Sequence, residues 1–216
     1  YNKNLKLLSK TSKIHKQIQK KFGFVEHDAE EIYKNILFLL RKVSKKVKLN
    51  NNSFLSITNQ RETFVIFDTL SGKPLHNAVV WQCRRGQKVC DTINKSNSNK
   101  KLIKKDTGLT LDTYFPAPKL VQLLSSNNKL KEKLKNGSAL FGTIDTYLIY
   151  RLTEQKSYMT DITNASRTLF FNNKSLKWSK RLLTLFGLQF KLLPQVKESS
   201  SIFGYTNLNK ILKTNI

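Results

Sequence analysis

Residues 63–68, Thr-Phe-Val-Ile-Phe-Asp, form an apolar run that the turn residues Ser71-Gly72-Lys73-Pro74 separate from a second run, Ala78–Trp81. β-Branched and aromatic residues bounded by turn formers read as strands, so residues 63–81 are expected to fold as a β-hairpin. Upstream, Asp28-Ala29-Glu30-Glu31 has the form of a capping box, in which a carboxylate accepts an orphan amide at a helix start. Ile32, Ile36, Leu39, Leu40 and Val43 follow at helical period, and that helix runs out in Lys and Asn near residues 45–52. Further helices are expected at 84–93, near Lys119–Leu124 after Pro116 and Pro118, at Thr143–Leu152, and at Leu176–Phe186, where Gly187 is placed to end it. Residues 5–18 read as a strand end followed by irregular polar sequence, Phe54–Ile57 as a buried strand, Lys156–Met159 as a short strand or loop, and Asn94–Lys101 as a polar surface loop. Helices falling between strands indicate an α/β architecture, and 216 residues suffice for one large domain or two small ones.

The strand expected at Phe54–Ile57 leads into Thr58-Asn59-Gln60-Arg61-Glu62. Arg61 offers a fork of donors and Glu62 two acceptor oxygens. An adjacent pair of this kind at the end of a buried strand suits a small hydroxylated ligand, held by bidentate hydrogen bonds from rigid backbone.

The formal charge of +25 points first toward nucleic acid. However, 32 of the 39 basic residues are Lys, only seven are Arg, and Asn occurs 20 times, the bias that an A/T-rich coding sequence produces. The lysines are scattered (Lys3, Lys10, Lys20, Lys45, Lys46, Lys100, Lys104, Lys131, Lys174, Lys210) and form no stripe with interleaved aromatics, so they read as a solvated surface. Cys83 and Cys90, seven apart, match neither a redox pair nor a zinc knuckle and read as reduced thiols of a cytoplasmic protein. His15, His27 and His76 are dispersed and indicate no metal site. No apolar run approaches the length of a membrane span, and no apolar segment follows the Lys-rich N-terminus as in a secretion signal. Among the eight glycines no phosphate-cradling pattern occurs, and the first residue is Tyr1, as expected of a fragment or a processed product.

Several ordered motifs together carry a family resemblance. Gly23-Phe24-Val25-Glu26-His27-Asp28, Asn59-Gln60-Arg61-Glu62-Thr63, Gly72-Lys73-Pro74 and Val80-Trp81-Gln82-Cys83-Arg84-Arg85 are followed by Thr107-Gly108-Leu109 and Leu111-Asp112-Thr113-Tyr114-Phe115. Phe141-Gly142-Thr143-Ile144-Asp145-Thr146, Thr160-Asp161-Ile162-Thr163-Asn164-Ala165-Ser166-Arg167-Thr168, Leu193-Pro194 and Phe203-Gly204 complete the series. In type and order these resemble the glycerol kinase group of the FGGY carbohydrate kinases. The sugar kinases of that fold, such as xylulokinases, tend to have a different segment at the place of Gln60-Arg61-Glu62. The sequence departs from the group at Phe24 (usually Trp), Thr113 (usually Pro), Pro116 and Pro118 (usually small residues), and the Lys- and Asn-rich stretch 94–106. The two prolines are expected to affect the aim of Tyr114, because proline restricts the residue before it.

The resemblance implies an actin-like, ribonuclease-H-like ATPase fold, with residues 1–216 forming most of the N-terminal, substrate-side FGGY domain. It implies transfer of the ATP γ-phosphate to glycerol, with Mg²⁺, by a cytoplasmic homo-oligomer whose ligands are glycerol and ATP, and it implies neither nucleic-acid binding nor a membrane span. Arg61, Glu62 and Tyr114 would hydrogen-bond the glycerol hydroxyls and Trp81 would wall the carbon chain. No catalytic, cofactor or metal residue is expected within the chain. The family's phosphate loop would precede Tyr1, its general base would follow residue 216, and its C-terminal domain would lie outside, so the segment alone is expected to bind glycerol poorly and catalyse nothing. Asp145 and Asp161 read as structural acceptors at a helix start and a turn. Four of the seven arginines, Arg61, Arg84, Arg85 and Arg167, stand inside the motifs, where a forked donor could not be exchanged for Lys. Other readings are a different polyol or sugar kinase of the fold, a degenerate non-catalytic binding fragment, and, more remotely, a nucleic-acid binder.

Overall fold

The computed structural model describes residues 1–2, 4–47 and 53–207. The elements in chain order begin with β1 (Gln17–Lys21), β2 (Phe24–His27), α1 (Ala29–Ser44), β3 (Phe64–Asp68), β4 (Ala78–Val79), α2 (Gln87–Asn94) and α3 (Asn97–Thr107). They continue with α4 (Pro116–Ser125), α5 (Asn128–Asn136), β5 (Ala139–Thr143), α6 (Ile144–Leu152), β6 (Met159–Asp161), α7 (Ile162–Ala165), β7 (Phe171–Asn172), β8 (Lys177–Trp178), α8 (Lys180–Leu185) and β9 (Gln195–Lys197).

Among the described residues the main sheet has five strands in the order β1-β2-β4-β3-β5, each pair antiparallel. β3 sits inside it, pairing with β4 at Phe64↔Val79 and with β5 from Phe64↔Thr143 to Asp68↔Ala139. The alternation of side chains along a strand divides β3 between two cores. Phe64 and Ile66 join Val79, Phe141, Ile103, Leu120 and Leu134 on one face. Val65 and Phe67 join Leu37, Leu140, Tyr147 and Leu148, from α1, β5 and α6, on the other. Because helices cover both faces, the strand reads as an unbroken apolar run although its neighbours are antiparallel.

Helix α1 starts as expected: the Asp28 carboxylate accepts from the amides of Glu30 and Glu31 at 2.8 and 3.2 Å. The box is not reciprocal, since Glu31 accepts from the amide of Lys16 at 3.4 Å. The Lys/Asn end of that helix near 45–52 lies partly outside the described residues. The hairpin turn is held by Asp68, whose Oδ1 accepts from the amides of Leu70 and Ser71, an Asx turn. Gly72 there has φ +66°, and a side chain on it would meet Arg151 at 2.8 Å.

Several expectations are corrected. Phe54–Ile57 is not a buried strand: the segment has no regular structure and Phe54 is 90% exposed. A four-residue apolar run has no period to identify it, and the sheet closes through β1, β2, β4, β3 and β5 without using it. Asn94–Lys101 is not a loop, because α3 begins inside it at Asn97, capped by the Ser96 hydroxyl and ended by Gly108 at φ +72°. The surface of this helix is polar, which hid it, while Ile103, Asp106 and Thr107 are buried beneath. Residues 176–186 are part strand, part helix: β7 and β8 form a hairpin, and α8 starts only after Ser179, whose hydroxyl caps Leu182. Gly187 does follow that helix, at φ +62°. The helix expected at 84–93 starts at Gln87. Residues 5–16 contain no strand, and β1 begins at Gln17. α5 and β5 were not anticipated.

Candidate functional site

Arg61 and Glu62 occupy a turn immediately before β3, not the end of a strand. This turn is braced by Thr63, whose hydroxyl lies 3.1 Å from Gln60 Oε1 and accepts from the amide of Trp81 at 3.2 Å. Trp81, just past β4, is thereby tied to the same turn. Asn59 and the Asn164 of α7 exchange side-chain hydrogen bonds at 2.9 and 3.3 Å, which fixes the segment before it.

Tyr114 arrives from a third direction. Asp112 accepts from the amide of Tyr114 at 2.7 Å, and Phe115 is the N-cap of α4, in extended conformation with ψ 156°. Pro116 takes the first helical position, where its missing amide costs nothing, and the extended Phe115 is the conformation a following proline favours. The restriction that Pro116 imposes on the residue before it falls on Phe115, not on Tyr114, whose ring packs against Trp81 at 5.5 Å between centroids.

Glu62 is buried, and its Oε1 accepts from Arg167 Nε at 2.7 Å. The Arg167 guanidinium also lies 4.9 Å from the Phe115 ring centre and 5.7 Å from that of Tyr114. Arg61 and Glu62 are therefore not an ion pair with each other. Arg61 is exposed and, among the described residues, its guanidinium has no partner, and none reaches Glu62 Oε2. Three of the four candidate residues thus converge in direct contact or through Arg167, and Arg61 adjoins them through the chain. An open carboxylate oxygen and two aromatic rings thus lie near one another, next in sequence to a forked donor, and groups of these types are the ones that can engage a small polyol.

Two residues in contact with these were not expected as site residues from the sequence. Arg167 stood inside a motif as one of few arginines. Lys119 had no signal: it is one of 32 lysines, yet it is fully buried and its ammonium lies among the carbonyls of Glu62, Val80, Trp81 and Tyr114.

The other motif residues take supporting places. Arg85 pairs with the buried Glu26, and its Nε donates to Cys83 Sγ at 3.1 Å. Burial alone would raise the Glu26 pKa, but hydrogen bonds from Arg85 and Asn77 hold it below the usual value. Asp145 lies in the first turn of α6, and its Oδ2 accepts from Thr160 at 2.7 Å. Burial pushes its pKa up to about 6. Asp161 caps α7 and accepts from Ser199 and Thr163; these bonds outweigh burial and hold its pKa down. Cys83 and Cys90 are free buried thiols, the latter pushed by burial up to about 12. The histidines are less dispersed than in sequence, with His15 Nε2 3.2 Å from His27 Nδ1 and His76 Nε2 3.6 Å from Glu26. Among the described residues no cluster of His, Cys, Asp or Glu could hold a metal ion, and no helix is long and apolar enough to cross a membrane.

Residues 1–214 match the N-terminal domain of the FGGY family of carbohydrate kinases. Glycerol kinase 1 of Thermotoga maritima is 45% identical over 201 residues, covering 92% of this chain and 41% of that protein. A Clostridium perfringens glycerol kinase is 40% identical over 210 residues, 96% of this chain and 42% of that protein. The Plasmodium falciparum glycerol kinase crystallised with ADP superposes with TM-score 0.87 at 34% identity, over 96% of this chain and 42% of that one. A ligand-bound xylulose kinase from Lactobacillus acidophilus superposes at TM-score 0.86 with 21% identity, which shows the shared fold alone. The chain spans about two-fifths of the length of these relatives. With the motifs in order, the sheet covered by helices on both faces and nearly the whole chain matched, this protein belongs to the FGGY family of carbohydrate kinases, as its N-terminal domain of actin-like ATPase fold.

Proposed function

We propose that the protein acts as a glycerol kinase, transferring the γ-phosphoryl group of ATP to a terminal hydroxyl of glycerol with Mg²⁺, and that Arg61, Glu62, Trp81 and Tyr114 form its glycerol-binding wall. The observation that carries the reading is the convergence of Glu62, Trp81 and Tyr114, from three separate segments, beside the free fork of Arg61. The relatives' names point to the same substrate.

In this reading Arg61 donates to two neighbouring hydroxyls while Glu62 Oε2 accepts from one of them. Arg167 occupies the other oxygen of Glu62 and turns the carboxylate toward the wall. The Trp81 and Tyr114 rings cover the carbon chain, and the Tyr114 hydroxyl adds a further hydrogen bond. Such fixation brings the acceptor hydroxyl into line, the part of phosphoryl transfer that depends on positioning. ATP supplies the phosphoryl group and Mg²⁺ its charge neutralisation; neither is assigned to any residue of this chain. A cytoplasmic homo-oligomer belongs to the same reading.

The test is ATP-dependent formation of glycerol 3-phosphate by the complete protein that contains this chain, with Arg61→Ala beside it. Loss of one bidentate charged contact is expected to weaken glycerol binding by roughly 10- to 100-fold, about 1.5–3 kcal/mol, with ATP binding retained. Unchanged glycerol kinetics in Arg61→Ala would remove the site assignment. A protein that phosphorylates a pentulose and not glycerol would replace the substrate.

A further inference from the structure

Lys119 lies in the first turn of α4 with its whole side chain inside the protein. Its Nζ is 2.9 Å from the carbonyl oxygen of Tyr114, 3.1 Å from that of Val80, 3.3 Å from that of Glu62 and 3.4 Å from that of Trp81. Among the described residues no carboxylate oxygen lies within ion-pair reach of it, and the direct partners of this buried amine are backbone carbonyls. Burying an ammonium without a counter-ion is costly, and an apolar side chain of similar length would fill the space more cheaply. What an apolar residue could not do is supply three hydrogens to oxygens from three separate segments: the turn before β3, the end of β4, and the stretch leading into α4.

Three of the four carbonyls belong to Glu62, Trp81 and Tyr114. We infer that Lys119 is a positioning residue for the polyol wall, its ammonium clamping the backbone of these three residues so that their side chains keep the spacing a small triol requires. The inference rests on the glycerol reading above. Burial pulls the Lys119 pKa down to about 7, with Cys83 and Glu62 acting the other way. The site is tightly enclosed on the α2 side, where Gly86 abuts the Lys119 backbone: a methyl group there would lie 2.8 Å from its amide nitrogen.

The experiment compares Lys119→Met and Lys119→Gln with wild type in the complete protein containing this chain. Steady-state kinetics are measured with glycerol and ATP varied separately, and amide hydrogen exchange is followed over residues 60–64, 80–84 and 112–116. For Lys119→Met, glycerol kcat/KM is expected to fall by about 10- to 100-fold, mostly through a raised KM for glycerol, while KM for ATP is unchanged. Lys119→Gln keeps two N–H donors and is expected to lose less. Exchange should accelerate in the three clamped segments and not in α1 or β5. A folded Lys119→Met with wild-type glycerol KM overturns the inference, and so does a loss shared equally by both substrates. Where Lys119→Met does not fold, the same split is read from Lys119→Gln. Should wild type fail to phosphorylate glycerol, the functional reading falls by itself. The exchange measurement then decides Lys119 independently: no acceleration in the three segments overturns its role.

Discussion

The pairing of Glu62 with Arg167 allows a prediction that separates a charge interaction from simple packing. The Glu62 side chain is 5% exposed, and its cation is 2.7 Å away on an Arg167 side chain that is 26% exposed. Arg167→Ala strands a buried carboxylate. Removing one partner of a fully buried pair costs about 3–5 kcal/mol; water reaching the open side of Arg167 reduces this to about 2–3 kcal/mol. Loss of the guanidinium from the Phe115 and Tyr114 rings adds about 0.5–1 kcal/mol. The total, about 3 kcal/mol, corresponds to a melting temperature lower by roughly 6–12 °C for a protein of this size. Glu62→Gln keeps the shape and the acceptor oxygen but not the charge, and should cost only about 1 kcal/mol. In the double variant no charge is stranded, so Glu62→Gln should raise the melting temperature of Arg167→Ala by roughly 3–6 °C while lowering that of wild type. Calorimetric melts of the four proteins decide it. Additivity of the two substitutions to within about 0.5 kcal/mol would show that Arg167 acts through packing and not by neutralising Glu62.

Asp145 gives a pH signature. Its native pKa of about 6 lies above the ordinary value of 3.8, so its ionisation opposes folding. Its protonated form favours the native state below pH about 4, and this advantage, about 3 kcal/mol, is lost as pH rises through about 6. Asp145→Asn, which keeps an acceptor for Thr160, should therefore raise the melting temperature at pH 7–8 relative to wild type and close the difference near pH 4; equal pH profiles would count against this. Gly86→Ala tests the packing of α4 against the start of α2. Gly86 has an ordinary φ of −80°, so strain comes only from the new methyl group, 2.7 Å from the Pro118 carbonyl carbon and 2.8 Å from the Lys119 nitrogen. Overpacking against backbone should cost about 1–3 kcal/mol and also raise KM for glycerol through the shifted Lys119 clamp; a melt and kinetics like wild type would show that the helices give way freely.

The regular elements visible in the sequence were those with local causes. The Asp28 cap and the 3.6-residue period announced α1, and the turn residues Ser71-Gly72-Lys73-Pro74 announced the β3–β4 hairpin. Elements whose definition depends on partners were lost or invented. Phe54–Ile57 has strand-forming residues but no neighbouring strand to bond, and α3 has a polar surface whose buried side is set by contact with β7 and α8. The family was legible because motif order is a one-dimensional property.

Sequence alone determined the chemical inventory: an Arg–Glu pair, a Trp and a Tyr in a recurring order, with few arginines and many lysines. Tertiary structure decided how that inventory is used. It left Arg61 and Glu62 without an ion pair between them, gave Glu62 to an arginine 105 residues away, and buried Lys119 among the carbonyls of Glu62, Val80, Trp81 and Tyr114. Burial is the reason. A lysine or a carboxylate has the same formula anywhere along the chain, and only the surrounding fold, by excluding water and offering specific partners, sets what it does.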